Sequence, residues 1–223
     1  MNRPLIVIAT IGLSAVFATA VQSKTPTGGS VKGTITVKSG GSAKTDMTGV
    51  VVYLEDVPGD PPKSKNATIK QKDKQFDPPL SIVVKGTTVD FPNEDKIFHN
   101  VFSVSRPARF DLGLYKSGEQ KSVEMKRAGV VDVYCNIHPD MIAKVLVLEN
   151  GFYATTAKDG SFAIDNVPPG DYPIVAWMPS GDKADGKVTV KAGGAAEVKL
   201  ELTQSDKKET HMRKDGTPYG RYK

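Results

Sequence analysis

Apolar and polar residues alternate with a period of two through most of this chain. In VKGTITVK (31–38), Val31, Ile35 and Val37 fall on one face, and Lys32, Thr34 and Lys38 on the other. The rhythm returns in GVVVYLE (49–55), LSIVVKGTTVDF (80–91), KSVEMK (121–126), VVDVYC (130–135) and AKVLVLE (143–149). It continues in SFAIDNV (161–167), DYPIVAWM (171–178), GKVTV (186–190) and EVKLEL (197–202). Side chains on a strand point alternately to opposite faces, so this is the pattern of half-buried strands. Turn formers punctuate it: Pro-Gly-Asp-Pro-Pro, Pro-Asn-Glu-Asp, Lys-Asp-Gly and Pro-Pro-Gly-Asp. No segment carries a capped apolar stripe of helical period. The pattern predicts an all-β fold built as sandwiches.

Two acidic stretches, AKDGSFAIDN and GDKADGK, superficially resemble calcium loops, but neither ends an alternating run of oxygen donors in a glutamate. Asp159-Gly160 reads instead as a tight hairpin turn.

The chemistry concentrates in VYCNIHPDM (133–141), which holds the single cysteine of the chain and one of its three histidines. Along VVDVYC, Val131, Val133 and Cys135 share a face, so the pleat turns the thiol into the sandwich. His138 follows in a turn closed by Pro139, and Met141 opens the next strand, whose Ala143, Val145 and Val147 face inward. A second imidazole comes from His99, in FPNEDKIFHNVFS between two expected strands; His211 sits in the polar tail. Two imidazoles, a thiolate and a thioether match a trigonal two-His, one-Cys copper site with a weak axial methionine. Zinc is the competitor, but structural zinc sites close with Cys, His or carboxylate and not with a thioether.

The ends of the chain bear on where such a site would work. Arg3, the apolar run from Leu5 to Phe17 and Ala18-Thr19-Ala20 have the layout of a signal peptide, residues 1–20, cut after Ala20. No later segment is apolar enough to cross a bilayer, so the expected location is periplasmic or secreted. A lone thiol in an oxidising compartment has no internal disulfide partner, which makes its occupation by a metal more informative. The formal net charge is +5. Residues 204–223 carry Lys207, Lys208, Arg213, Lys214, Arg221 and Lys223 against three acids, and read as a flexible basic tail able to reach an acidic partner.

FPNEDKIFHNVFS followed by VYCNIHPDMIAKVLVLE resembles the cupredoxins, the small blue copper proteins, over about residues 67–149. The Cys-x-x-His-x-x-Met loop, with Pro139 after the histidine, is most similar to that of amicyanin. The resemblance implies a Greek-key β-sandwich holding one type 1 copper through His99, Cys135, His138 and Met141. It implies that Asn100 ties the two ligand loops together, with Pro139 beside it. The flanks, VKGTITVKSG with TGVVVYLED and then YATTAKDGSFAIDNVPPGDYPIVAWMP, resemble a carboxypeptidase regulatory-like, transthyretin-type β-sandwich. On that reading a polar leader (21–30) precedes the first strands of this module (31–57). The copper domain (67–149) is inserted, the remainder follows (150–203), and Tyr172 and Trp177 are core residues of the module. One enlarged sandwich is the alternative.

The expected function is one-electron transfer between redox partners met in transient encounters, with His138 as electron port amid Ile137 and Ile142. Enzymatic activity is not expected. Multicopper oxidases and copper nitrite reductases need more histidines than three, and a binuclear copper loop needs two cysteines. Copper delivery or storage, and a secreted β-sandwich binding module with incidental copper, are the alternatives. A nucleic-acid partner is not expected.

Overall fold

A computed structural model describes residues 28–60, 62 and 64–219. The expected signal segment lies outside these residues, as does most of the polar leader. In chain order the strands begin with β1 (Gly29–Ser39), β2 (Ser42–Ala43), β3 (Val51–Leu54), β4 (Ala67–Thr68), β5 (Lys70–Lys72) and β6 (Gln75–Asp77). They continue with β7 (Leu80–Val84), β8 (Thr88–Pro92), β9 (His99–Ser103), β10 (Phe110–Tyr115), β11 (Gln120–Glu124) and β12 (Gly129–Tyr134). The series ends with β13 (Ile142–Leu148), β14 (Tyr153–Thr155), β15 (Ser161–Val167), β16 (Gly170–Trp177), β17 (Lys183–Val190) and β18 (Ala195–Thr203). The fold is all-β, with no helix among the described residues.

Two packed assemblies result. In the first, a sheet of order β15-β1-β18, with β2 paired to β1, faces a sheet of order β14-β3-β16-β17. Strands from both sides of the 67–149 stretch therefore share two sheets. Alternation explains the packing: Val31, Ile35 and Val37 of β1 and Tyr172, Ile174 and Ala176 of β16 are buried together. Gly33 is required where β1 runs parallel to β18, because a Cβ there would stand 1.9 Å from the Val198 carbonyl oxygen. Ile174 is fully buried on a central strand. Ile174→Ala should lower stability by about 2–5 kcal/mol in a denaturant titration, the usual cost of an unfilled aliphatic site.

In the second assembly a sheet of order β10-β9-β12-β13-β7 covers one of order β11-β8-β4, with the β5–β6 hairpin alongside. The apolar run 80–91 divides into β7 and β8 at Gly86, whose φ of 89° lets the chain turn back. Val131, Val133, Cys135, Ala143, Val145 and Val147 point into the core of this sandwich. The seam between the two assemblies is apolar, formed by Val51, Leu146 and Leu148 with Tyr53, Ile82, Val130 and Trp177. Trp177 therefore lies at the seam and not in the flanking core, because it follows Ala176 onto the opposite face of β16; Tyr172 is in that core.

The tail departs from expectation. Residues 204–219 do not run free: Gln204 N–H donates to the Lys38 carbonyl at 2.7 Å and Ser205 N–H to the Ser180 carbonyl at 2.6 Å. The segment then crosses to the second sandwich, where Glu209 pairs with Lys144 at 2.7 Å. Low apolar content predicts a solvated end, but here polar partners are supplied by surface residues far away in sequence.

Candidate metal centre

The site grows from two adjacent strands of one sheet. β9 and β12 pair through Phe102 and Tyr134, which sets the start of β9 beside the end of β12. His99 is the first residue of β9 and Cys135 follows the last residue of β12. The loop 135–141 is closed by its own main chain: Met141 N–H donates to the His138 carbonyl at 3.2 Å, and Cys135 N–H to the Met141 carbonyl at 3.3 Å. Pro139, half-buried, stands inside this turn and has no N–H to extend the β12–β13 ladder.

Three donor atoms converge. Cys135 Sγ lies 3.9 Å from His99 Nδ1 and 3.6 Å from His138 Nδ1, and the two Nδ1 atoms are 3.1 Å apart. Among the described residues, His99, Cys135 and His138 form a group of His, Cys or acidic side chains whose donor atoms could share one metal ion. Nitrogen and sulfur held about 2.0–2.3 Å from a common ion stand roughly 3.3–3.8 Å from one another, and the observed spacings scatter around that range. Both rings turn the same nitrogen toward the thiol, so the donor set fits a transition metal that accepts imidazole and thiolate together.

The surroundings order this triad. Asp95 Oδ2 accepts from His99 Nε2 at 2.7 Å, which leaves Nδ1 directed at the sulfur. Burial opposes charge on His99, but its bonds to Cys135 and Asp95 outweigh that and raise its pKa above the usual value. Burial pushes the Cys135 thiol up. His99 and the main-chain N–H groups of Asn100, Ile137 and His138 more than offset this and hold it below its ordinary value. Burial, with His99 and Lys74 nearby, keeps His138 below its own. The thiol is thus biased toward the thiolate and His138 toward neutral imidazole, the forms that bind metals.

Met141 is fully buried in the core cluster that contains Cys135. Asn100 does not link the ligand loops through its side chain: Nδ2 donates to Asp111 Oδ1 at 2.7 Å on β10, and its main-chain N–H reaches Cys135. Its outer neighbour in the sheet takes the amide because Asn100 and Leu114 are paired across β9 and β10, close to Asp111. His138, Ile137 and Ile142 are half-buried. His211 is not in the triad; its ring stacks on Tyr134 with centroids 4.3 Å apart and planes at 13°.

Two contributors escape a reading of the sequence as strands and turns. Asp95, four residues before His99, was visible only as part of a turn, although a carboxylate near a ligating histidine is itself a signal. Asn93 fixes the same loop, donating to the carbonyls of Ile97 at 2.9 Å and Tyr115 at 3.2 Å and accepting from Asp95 N–H at 3.0 Å.

Comparisons with known proteins reach parts of the chain. A family model described as polysaccharide lyase family 4, domain II, matches residues 144–198. No curated protein matches. Among solved structures, a reduced single-residue variant of amicyanin is similar at 22% identity and a TM-score of 0.35, over 43% of this chain and 97% of that one. A purple cupredoxin from Nitrosopumilus maritimus is similar at 23% identity and a TM-score of 0.33, over 37% of this chain and 99% of that one. A copper-containing nitrite reductase from Thermus scotoductus is similar at 25% identity and a TM-score of 0.37, over 40% of this chain but 24% of its own length.

Proposed function

We propose that this chain is an exported, mononuclear copper protein that carries single electrons between redox partners and is not itself a catalyst. The observation that carries the reading is the convergence of Cys135 Sγ with the Nδ1 atoms of His99 and His138 at 3.1–3.9 Å. A thiolate with two imidazoles and a methionine in the same buried cluster selects copper over zinc by the softness of its sulfur donors. His99, Cys135 and His138 would hold the ion, with Met141 as the weak fourth donor, and the bound ion supplies one-electron redox chemistry.

The chain's own residues prepare that task. Asp95 and the main-chain N–H groups around Cys135 fix the donors before metal arrives, which limits rearrangement between oxidation states. His138 directs Nδ1 inward while its ring is half-exposed, so its other edge offers the shortest way out of the site. Ile137 and Ile142 flank it, and Ile97 and Phe98, 39% and 56% exposed, lie just before His99. A small, weakly apolar contact area of this kind suits brief redox encounters. Lys207, Lys208 and Arg213, exposed on the tail, favour an acidic partner.

The reading is tested by titrating metal-free protein with Cu(II). The expected result is saturation at one copper per chain, with intense thiolate-to-copper absorption and a reversible one-electron couple on an electrode. Silent spectra in a folded protein overturn it. A coloured protein with no reversible couple that hands Cu(I) rapidly to a competing chelator would make copper delivery the better description.

A further inference from the structure

The chain after β18 runs back across the end of the second sandwich and fastens to the donor loop at consecutive positions. His211 stacks on Tyr134. Tyr219 hydroxyl donates to the main-chain carbonyl of Cys135 at 2.6 Å. Lys214 N–H donates to Asn136 Oδ1 at 2.9 Å, and its ammonium pairs with Asp111 Oδ2 at 2.5 Å. Asp111 in turn accepts from the Asn100 amide next to His99 through its other oxygen. One segment therefore touches the residue before Cys135, Cys135 itself and the residue after it, and through Asp111 reaches the strand of the first histidine.

The contacts are not equal. Lys208–Asp140, at 3.3 Å between exposed side chains, contributes little, as solvated ion pairs do. The Tyr219 bond is part-buried and directional and acts on the Cys135 main chain that aims the sulfur, while the His211 stack holds the Tyr134 ring one residue earlier. The segment also holds its own shape: Arg213 N–H donates to the Thr217 carbonyl at 2.9 Å and Gly216 N–H returns to the Arg213 carbonyl at 2.9 Å. The Arg213 guanidinium lies 5.4 Å from the Tyr219 ring centroid, and Tyr219 meets the His211 ring edge-on at 5.1 Å. These contacts bring the two anchors to one place.

We propose that residues 207–219 form a clamp on the donor loop, in which Tyr219 and His211 are positioning residues: Tyr219 fixes the main chain at Cys135 and His211 holds the Tyr134 ring just before it. The inference deepens the copper reading, since its consequence for a bound ion is slower release, but the clamp itself is a property of the metal-free chain.

The test uses the full chain with Tyr219→Phe, His211→Ala and the ring-conserving His211→Phe. Amide hydrogen exchange of the metal-free proteins reads the loop, and the rate of copper loss to excess chelator reads the site. Tyr219→Phe and His211→Ala are each expected to speed exchange at Asn136, Ile137 and His138 by about fivefold, the effect of one hydrogen bond or ring contact. Exchange in β1 and β18 should stay at the parent rate. His211→Phe, which keeps the stacking surface but loses the ring contacts to the Met212 carbonyl and the Tyr219 hydroxyl, should fall between the parent and His211→Ala. Copper loss should follow the same order. Unchanged loop exchange in Tyr219→Phe and His211→Ala overturns the clamp, as does uniform acceleration through both sandwiches, which marks general loosening. Should the parent bind no copper, the functional reading falls while the exchange result still decides the clamp.

Discussion

Cys135→Ser is expected to abolish the thiolate-to-copper absorption completely while leaving both sandwiches folded. The substitution is nearly isosteric, so the core around Val131 and Val133 loses little packing. A hydroxyl, however, does not ionise near neutral pH and is a hard donor where copper needs a soft one. The two Nδ1 atoms of His99 and His138 remain and can retain some Cu(II), but without the colour and with weakened hold on Cu(I). Measurement is by absorption spectroscopy and competition against a Cu(I) chelator. A variant that stays intensely coloured would remove sulfur from the site.

The same variant has a pH signature in the metal-free protein. His99 has its pKa raised in the fold from 6.5, so its contribution to stability is complete below 6.5 and is lost as pH rises through the raised folded value. Cys135 has its pKa lowered from 9.0, so its contribution is present above 9.0 and is lost as pH falls through the lowered folded value. The two shifts describe one thiolate–imidazolium attraction and are not to be summed. Cys135→Ser removes the first partner and the main support for the second, leaving His99 with burial against it and Asp95 for it. With rising pH the thiol contribution is gained while the imidazole contribution is lost, so the two run in opposite directions. The metal-free variant should therefore lack the upturn in melting temperature that the parent shows as pH rises through the lowered thiol value.

What the sequence disclosed follows from how local each determinant is. Period-two alternation is a property of neighbours, and it marks the all-β fold because both assemblies bury one face of each strand. The inward aim of Cys135 came from the same parity as Val131 and Val133. The chemical rarity of a lone cysteine near two histidines nominated the triad that the structure draws together. Trp177 was misplaced because parity tells that two residues lie on opposite faces, not that both faces are covered; the second face of β16 meets the other sandwich. The tail reads as solvated in the sequence because its partners on the second sandwich are distant: Glu209 to Lys144 spans 65 residues, Lys208 to Asp140 68, Tyr219 to Cys135 84 and Lys214 to Asp111 103. No window along the chain contains both halves of such a contact. Asn100 shows a subtler limit: its position beside His99 was legible, but which of its groups faces the sulfur depends on the pairing of β9 with β10.

Asp95 is the point at which local strain and the site meet, and its replacement carries the second large effect. The β5–β6 hairpin turns through two residues, Asp73 and Lys74, with φ of 52° and 56°. A two-residue hairpin favours such left-handed values, but they normally fall to Asn and Gly, and Lys74 has a Cβ that makes the conformation unfavourable. The compensation is visible: Asp95 accepts from Asp73 N–H at 2.7 Å and from Lys74 N–H at 2.9 Å. The same carboxylate holds His99 Nε2 at 2.7 Å. One charged group therefore stabilises a strained turn and orients a metal donor. Asp95→Asn keeps the shape but loses the charge and one acceptor oxygen. Metal affinity should fall by about 10–100-fold, the usual effect of losing a carboxylate behind a ligating histidine. Cu(II) should lose more than Cu(I), since the negative charge favours the higher oxidation state; a tenfold difference between them raises the potential by about 59 mV. Adding Lys74→Gly separates the two roles. Glycine removes the turn strain, so the double variant should recover folding stability in a denaturant titration yet retain the weakened metal binding and the raised potential. Recovery of metal affinity along with stability would show instead that Asp95 acts on the site through the hairpin alone.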